Sequence, residues 1–408
     1  HYNLKGMLLA DTYSLVFLLV VYGTTFYYLL LSGNELEKVG MHQAEYLALL
    51  FFISAGIAIV SSFSNLLMLF LGIEIVSIPL YILSGTDKRN LKSNEASLKY
   101  LLMGAFSTGI MLMGIAFVYG SAGTFSLEAL ASGKNALTPL MGAGLMLLLF
   151  SMSFKVSAAP FHFWTPDVYD GAPTVFTGFM ASIVKAAAFI AFFRLFREGF
   201  SSFQEKWQLI AALITAATLI FGNVTAVFQQ SVKRMMAYSS IAQAGFMMLA
   251  LVALNARSLE GLLYYVTAYS LATIGFFSVL MKLKDFTFEG FNGLARREPL
   301  AAAATLVFLF SLAGIPGTAG FMAKFYLLAA TMEQGGTLWL IILAVLCAAI
   351  SVYYYFRVVQ AMYFKSPEET AVLPLSTGFR VLLILLALLV VFLGVFPQLL
   401  IDQIYMIF

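Results

Sequence analysis

The sequence predicts an all-α, polytopic transmembrane bundle, and three observations predict it. Of 408 residues, 61% are hydrophobic and 11% charged, against about 25% charged in soluble chains. Mean hydropathy is +0.92. Apolar runs of about 20 residues, the length that carries a helix across about 30 Å of hydrocarbon, recur almost from end to end. A β-barrel would read instead as alternating segments of about ten residues.

Twelve spans follow in order. Four apolar runs at 7–32, 44–61, 63–84 and 95–120 precede a fifth at 138–158, which runs into Pro160. Four more at 173–197, 207–229, 232–254 and 259–283 lead to a tenth at 299–331, which contains S-L-A-G-I-P-G-T-A-G, Ser311 to Gly320. The last two are 337–364 and 379–403. Proline removes a backbone donor and clashes with the preceding turn, and glycine weakens a helix. The fifth and tenth spans are therefore predicted to be broken, at Pro160 and at Gly314, Pro316 and Gly317. Freed backbone groups are tolerated at membrane depth only where they face protein or water. Both breaks are expected to hold water beside a lysine and to act as hinges.

The two broken spans lie five helices apart, as matching members of two five-helix units would, and an odd offset inverts the second unit. The chain is read as one domain, 1–408, with a first repeat near 63–197 and a second near 207–364. Gly104, Gly109, Gly142 and Gly144 are expected to mark close helix packing.

Basic residues set the orientation. The side holding loop 85–94 carries fourteen: Lys38, Lys88, Arg89, Lys92, Lys99, Lys233, Arg234, Lys282, Lys284, Arg296, Arg297, Arg357, Lys365 and Arg380. The other side carries six: Lys5, Lys134, Arg194, Arg197, Lys206 and Arg257. The first side is predicted to be cytoplasmic, with both ends of the chain outside. Lys233 and Arg234, at a span start, read as positive-inside anchors. The chain starts with His1 rather than Met and is read as lacking its true N-terminus.

The remaining three of 23 Lys and Arg, Lys155, Lys185 and Lys324, fall well inside apolar runs, and Glu74 is the one acid at comparable depth. Each costs roughly 2.5–3.5 kcal/mol on insertion scales, so the four together cost on the order of 10 kcal/mol. Structural alternatives are buried ion pairs that fix packing, or lysines snorkelling to an interface. Three lysines and one acid cannot pair off completely, which favours function. Burial favours the neutral form of a lysine and a nearby anion the charged form. A lysine so placed can take up and release a proton, with Glu74 modulating Lys155. His162, Asp167 and Asp170 follow the first break and read equally well as an interfacial loop.

Other chemistries find no support. Cys347 is the lone cysteine, and His1, His42 and His162 are scattered, so no metal site, disulfide or iron-sulfur set is predicted. No phosphate-binding glycine motif follows a strand. Redox or nucleotide chemistry is expected on other chains, and no nucleic acid partner is expected.

The wording of the motifs is more specific. F-K-V-S-A-A-P-F-H-F-W-T-P-D-V-Y-D-G-A-P and A-S-I-V-K-A-A-A-F, with K-R-M-M-A-Y-S-S-I-A-Q-A-G-F and S-L-A-G-I-P-G-T-A-G-F-M-A-K-F, resemble the antiporter-like membrane subunits of bacterial NADH-quinone oxidoreductase, respiratory complex I. Within that group they are similar to the subunit N family, over essentially the whole chain. Subunits L and M and the large subunits of multi-subunit cation/proton antiporters carry H-x-W-L-P-D-A and a histidine-rich next helix. Here the text is F-H-F-W-T-P-D-V-Y-D, with a lysine in the next span. Lys324 also fits, since subunit M typically has glutamate there.

The resemblance implies a fourteen-helix fold, so two N-terminal helices are expected to be absent. It implies that Glu74, Lys155, Lys185 and Lys324 form a proton relay driven by quinone reduction elsewhere. NADH, FMN, iron-sulfur clusters and quinone would sit on partner subunits, with this chain holding no cofactor. Its neighbours would be other membrane subunits, subunit M among them, and lipid, in the bacterial inner membrane. Gln243 departs from the family, where many relatives have histidine. The alternative is a subunit of a cation/proton antiporter.

Overall fold

The computed structural model describes residues 2–40, 42–132, 137–366 and 375–405. His1 and Lys134 lie outside them. Strands β1 (Tyr2–Leu4) and β2 (Leu8–Ala10) form an antiparallel hairpin pairing Tyr2 with Ala10. This small sheet corrects the first predicted span, which starts at Thr12 rather than 7. Asp11 sets that start: its carboxylate accepts from the Ser14 N–H at 2.8 Å, satisfying a helix-terminal donor.

Helices α1 (Thr12–Val39), α2 (Gln43–Ser62), α3 (Leu66–Ser84) and α4 (Leu91–Ala122) follow. A short α5 (Leu127–Ala131) leads to α6 (Pro139–Lys155), α7 (Trp164–Gly171) and α8 (Thr174–Phe179). A π-turn at Met180–Val184 joins α8 to α9 (Lys185–Arg194), and a second π-turn at Leu195–Gly199 ends that span. Then come α10 (Gln204–Val227), α11 (Val232–Ala253), α12 (Ala256–Leu280) and a short α13 (Leu294–Arg297). The chain continues through α14 (Pro299–Ala313), α15 (Ala319–Gln334), α16 (Leu338–Phe364), α17 (Thr377–Val395) and α18 (Gln398–Tyr405).

Among the described residues, ten of the predicted spans are helices long and apolar enough to cross a membrane. The two that fall short, α6 and α14, are the first halves of the spans predicted to break. The most apolar stretch of α12 is wholly buried, and α8–α9 and α11 are nearly so, whereas α1, α2, α4, α16 and α17 turn most of their surface outward. The polar interior is therefore built on α8–α9, α11 and α12.

Small residues let α4 approach α6: a Cβ on Gly144 would lie 2.9 Å from the Gly114 carbonyl oxygen. Gly104 likewise admits Tyr81. Gly109 and Gly142 have nothing within 4 Å of an added Cβ, so the packing role expected of them does not hold.

Both broken spans end their first half the same way. After α14, Ile315 N–H bonds Phe310 O at 2.9 Å and Gly314 N–H bonds Ser311 O at 3.0 Å, with Gly314 at φ +85°. After α6, Ala158 N–H bonds Ser153 O at 2.8 Å and Ser157 N–H bonds Phe154 O at 3.0 Å, with Ser157 at φ +65°. Each is a Schellman ending, a left-handed residue that lets two N–H groups fold back onto the last turn. Pro160 and Pro316 follow and prevent the helix from resuming at once.

Candidate functional site

Glu74 and Ser77 lie three residues apart on α3 and so share a face, opposite Thr108 on α4. Lys155, the last residue of α6, donates to Ser77 Oγ at 3.3 Å and Thr108 Oγ1 at 3.2 Å. Thr108 in turn donates to Glu74 Oε1 at 2.8 Å. The glutamate and the lysine thus meet through a hydroxyl, with no direct ion pair within 4.0 Å. Both are only partly buried. A cavity of about 30 Å³ opens beside Lys155, lined by Ser77, Tyr100 and otherwise apolar side chains including Val184 and Ala187. One water needs roughly 10–15 Å³ of such space.

Lys185 opens α9 and is buried. Its ammonium bonds both the carbonyl and the hydroxyl of Ser240, each at 2.9 Å. Ser240 lies on α11, one turn before Gln243. Gln243 spans the interior: its Nε2 donates to Leu312 O at 2.8 Å and to the Tyr355 hydroxyl at 3.1 Å, and its Oε1 accepts from the Tyr265 hydroxyl.

Lys324 on α15 reaches back across the second break to donate to Leu312 O at 3.0 Å and Ala313 O at 2.9 Å. These are carbonyls that the Schellman ending leaves free. A positive charge at a helix C-terminus is stabilised by the aligned backbone dipoles, and the Phe246 ring lies 4.6 Å from the ammonium. Gly314 makes room for it: a Cβ there would sit 3.0 Å from Lys324 Cδ and 3.2 Å from Nζ. A second cavity, about 10 Å³, is lined by Gln243, Tyr265, Tyr269, Leu312 and Gly320.

The remaining predicted residues fall into two groups. His162 is buried and stacks between Phe163 and Phe221, with Nδ1 lacking a hydrogen-bond partner. Asp167 on α7 is paired with Lys99 at 2.7 Å and Arg234 at 2.9 Å, and so ties the segment after the break to α4 and α11. Burial pushes the Asp167 carboxyl up, but the hydrogen bonds from those two cations outweigh it and hold it below the usual carboxylate range. Lys233, at the start of its span, is 3% exposed and donates to Asp170 O at 3.0 Å and Ala172 O at 2.6 Å. It lines a cavity of about 520 Å³ with Asp87, Lys92, Asp170 and Lys284. Arg194, assigned by position to a span end, is 1% exposed.

Sequence reasoning missed Thr108, Ser77, Ser240, Tyr265, Tyr269 and Tyr355. Each is a hydroxyl in an apolar helix, and spacing along one helix carries no information about which partner it meets on another. Among the described residues, no group of three or more His, Cys, Asp or Glu side chains could hold a metal ion.

Comparison with known proteins identifies the family and the fold. The family described as NADH:quinone oxidoreductase/Mrp antiporter, transmembrane, matches residues 64–352. NADH-quinone oxidoreductase subunit N of Cytophaga hutchinsonii is 40% identical over 401 residues, covering 97% of this chain and 87% of that protein. A chain of respiratory complex I from Thermus thermophilus, solved with bound aureothin, superposes with TM-score 0.85 at 35% identity, covering 96% of this chain and 86% of that one. A chain of the Mrp complex from Dietzia sp. DQ12-45-1b reaches TM-score 0.86 at 19% identity, covering 96% and 82%, a likeness of fold.

Proposed function

The chain belongs to the NADH-quinone oxidoreductase subunit N family, and from that membership we propose that it moves protons across the membrane through Glu74, Lys155, Lys185 and Lys324. Its relatives are membrane subunits of an enzyme complex whose electron transfer would supply the energy. The chain itself would act as translocase, with NADH, FMN, iron-sulfur clusters and quinone held by partner subunits.

One observation carries the reading. Among the described residues, none of the three lysines has a carboxylate within 4.0 Å. Each ammonium rests on neutral oxygens instead. A packing role would favour compensated charge, because an unpaired cation at depth is costly. A site that gains and loses a proton needs partners that serve an ammonium without locking it. Neutral hydroxyls and carbonyls do this.

In this reading the segments near 63–197 and 207–364 belong to two inverted repeats, each supplying one broken helix and its lysine, Lys155 or Lys324, and the first also carries the central Lys185. The face with Asp87, Lys92, Lys233 and Lys284 is cytoplasmic, both ends of the chain lie outside, and an antiporter-like M subunit and smaller membrane subunits flank it in the bacterial inner membrane. The 40% identity to a subunit N over nearly the whole chain favours this over a free cation/proton antiporter.

The test is reconstitution of the purified complex into proteoliposomes. Quinone reduction is expected to acidify one side, and the copurifying chains should include flavin and iron-sulfur subunits. Sodium or potassium exchange for protons without a redox substrate would overturn the reading in favour of the antiporter.

A further inference from the structure

The segment before Lys185 leaves α-helical geometry. Met180–Val184 is a single π-turn, and the Lys185 backbone N–H bonds the carbonyls of Met180 and Ser182. In an α-helix it would serve Ala181, four residues back. A π-turn of this kind is one extra residue carried inside an α-helix. Here it deprives the buried Ala181 carbonyl of its ordinary donor.

Tyr269, on α12, fills that place. Its hydroxyl donates to Ala181 O at 2.6 Å, and the side chain is buried. The same side chain lines the cavity beside Gln243, Leu312 and Gly320. Tyr269 therefore touches both the turn that aims Lys185 and the space next to a carbonyl held by Lys324.

Without that hydroxyl, the buried carbonyl would be satisfied by closing the turn into an α-helix. Closure rotates Lys185 by roughly 100° relative to α8, the angle per residue of an α-helix, and withdraws its ammonium from Ser240. We propose that Tyr269 is a positioning residue for proton transfer: its hydroxyl holds Met180–Val184 in the π form and so aims Lys185 at Ser240. The inference rests on the reading of Lys185 as the central relay group.

The test uses the whole complex, with Tyr269→Phe examined both by cryo-electron microscopy and by proton pumping in proteoliposomes. The turn is expected to read as continuous α-helix with Lys185 away from Ser240. Pumping per assembled complex should fall about tenfold, equivalent to about 1.4 kcal/mol on the transfer barrier, because the displaced ammonium no longer reaches Ser240. Deleting Ala181 in the Tyr269→Phe background removes the extra residue, so no carbonyl needs the hydroxyl and α9 recovers its aim. The double variant should regain the Ser240 contact and pumping, whereas a tyrosine that only adds cohesion would not be rescued by shortening another helix.

A Tyr269→Phe complex that keeps the π-turn and the Ser240 contact overturns the proposal alone. Lys185 displaced with pumping unchanged overturns the relay role of Lys185 and the proposal with it. If Tyr269→Phe does not assemble, restored assembly in the double variant supports the proposal and continued failure overturns it.

Discussion

The breaks after α6 and after α14 share one backbone design and place their lysines in opposite ways. Lys155 sits on the last turn of its own half-helix and turns sideways to the hydroxyls of Ser77 and Thr108. Lys324 belongs to the second half-helix and reaches across the gap to the free carbonyls of Leu312 and Ala313. At the first break, neutral groups serve the backbone: the Ala159 N–H bonds Thr218 Oγ1 at 2.9 Å and Trp164 Nε1 bonds Phe154 O at 3.2 Å. At the second break the ammonium is itself the partner of the broken helix. In the proposed relay, a proton leaving Lys155 would disturb hydroxyls that can rotate to other partners. One leaving Lys324 would weaken the bonds that close the helix end.

The strongest test of that contrast is Lys155→Ala against Lys324→Ala. Both are expected to abolish pumping by assembled complex, since neither alanine carries a proton, and Lys155→Arg should fail as well because guanidinium stays charged. Lys324→Ala alone should also lower stability, by about 1–3 kcal/mol for an orphaned carbonyl. Equal melting temperatures of the two complexes would dissolve the distinction.

Next comes the left-handed residue of each ending. Gly314→Ala should cost about 1–2 kcal/mol in backbone strain and press on Lys324, reducing pumping. Gly317→Val, at φ +86° with open space around it, carries the greater backbone strain of a β-branched residue but does not press on Lys324, so it should reduce pumping less. Ser157→Gly should be neutral or stabilising, by up to about 1 kcal/mol, because it relieves a non-glycine residue whose buried hydroxyl lacks a partner. Thermal unfolding of the purified complexes checks all three, and equal losses at positions 157 and 314 would show that the two endings differ from the account above.

Smaller still is the hydroxyl bridge of the first site. Thr108→Val and Glu74→Gln should each reduce pumping by about two- to tenfold, the effect of one hydrogen bond of 0.5–1.5 kcal/mol, and both should do less harm than Lys155→Ala. Complete loss in Glu74→Gln with normal assembly would make the glutamate an obligatory carrier.

The least effect belongs to Asp167→Asn, about 0–1 kcal/mol, because its ion pairs are partly exposed. The Asp167 carboxyl is depressed in the folded protein, so its contribution is present at neutral pH and fades as pH falls through that depressed value. Parent and variant should converge in stability under strong acid, and a difference that grows there would contradict the assignment.

Much of this was legible in the sequence, for a physical reason. Apolar length marks spans, and Pro160, Gly314, Pro316 and Gly317 mark breaks, because lipid penalises unsatisfied backbone wherever it occurs. Glu74 and the three lysines stood out by depth alone. The partners did not, since lipid-facing and core-facing sides of these helices are both apolar and no stripe reveals how each helix is rotated. Thr108, Ser240 and Tyr269 were invisible for that reason. The burial of Lys233 and Arg194 depends on carbonyls and carboxylates far along the chain, which span-end position does not disclose. The hairpin at residues 2–10 is too short for its alternation to register.

Arg194 carries a consequence for how the protein is made. Its guanidinium joins Asp11, Glu198 and the carbonyls of Ser61 and Phe63, the last two 133 and 131 residues earlier in the chain. The ends of α1 and α2 are therefore finished only after α9 has been synthesised and inserted. Until then those carbonyls stay at the aqueous boundary, and a nascent chain stopped before residue 194 should hold its first two helices loosely. Biosynthesis thus has a late locking step, and the arginine that performs it arrives where Asp11 and both carbonyls are already waiting, with Glu198 following four residues later.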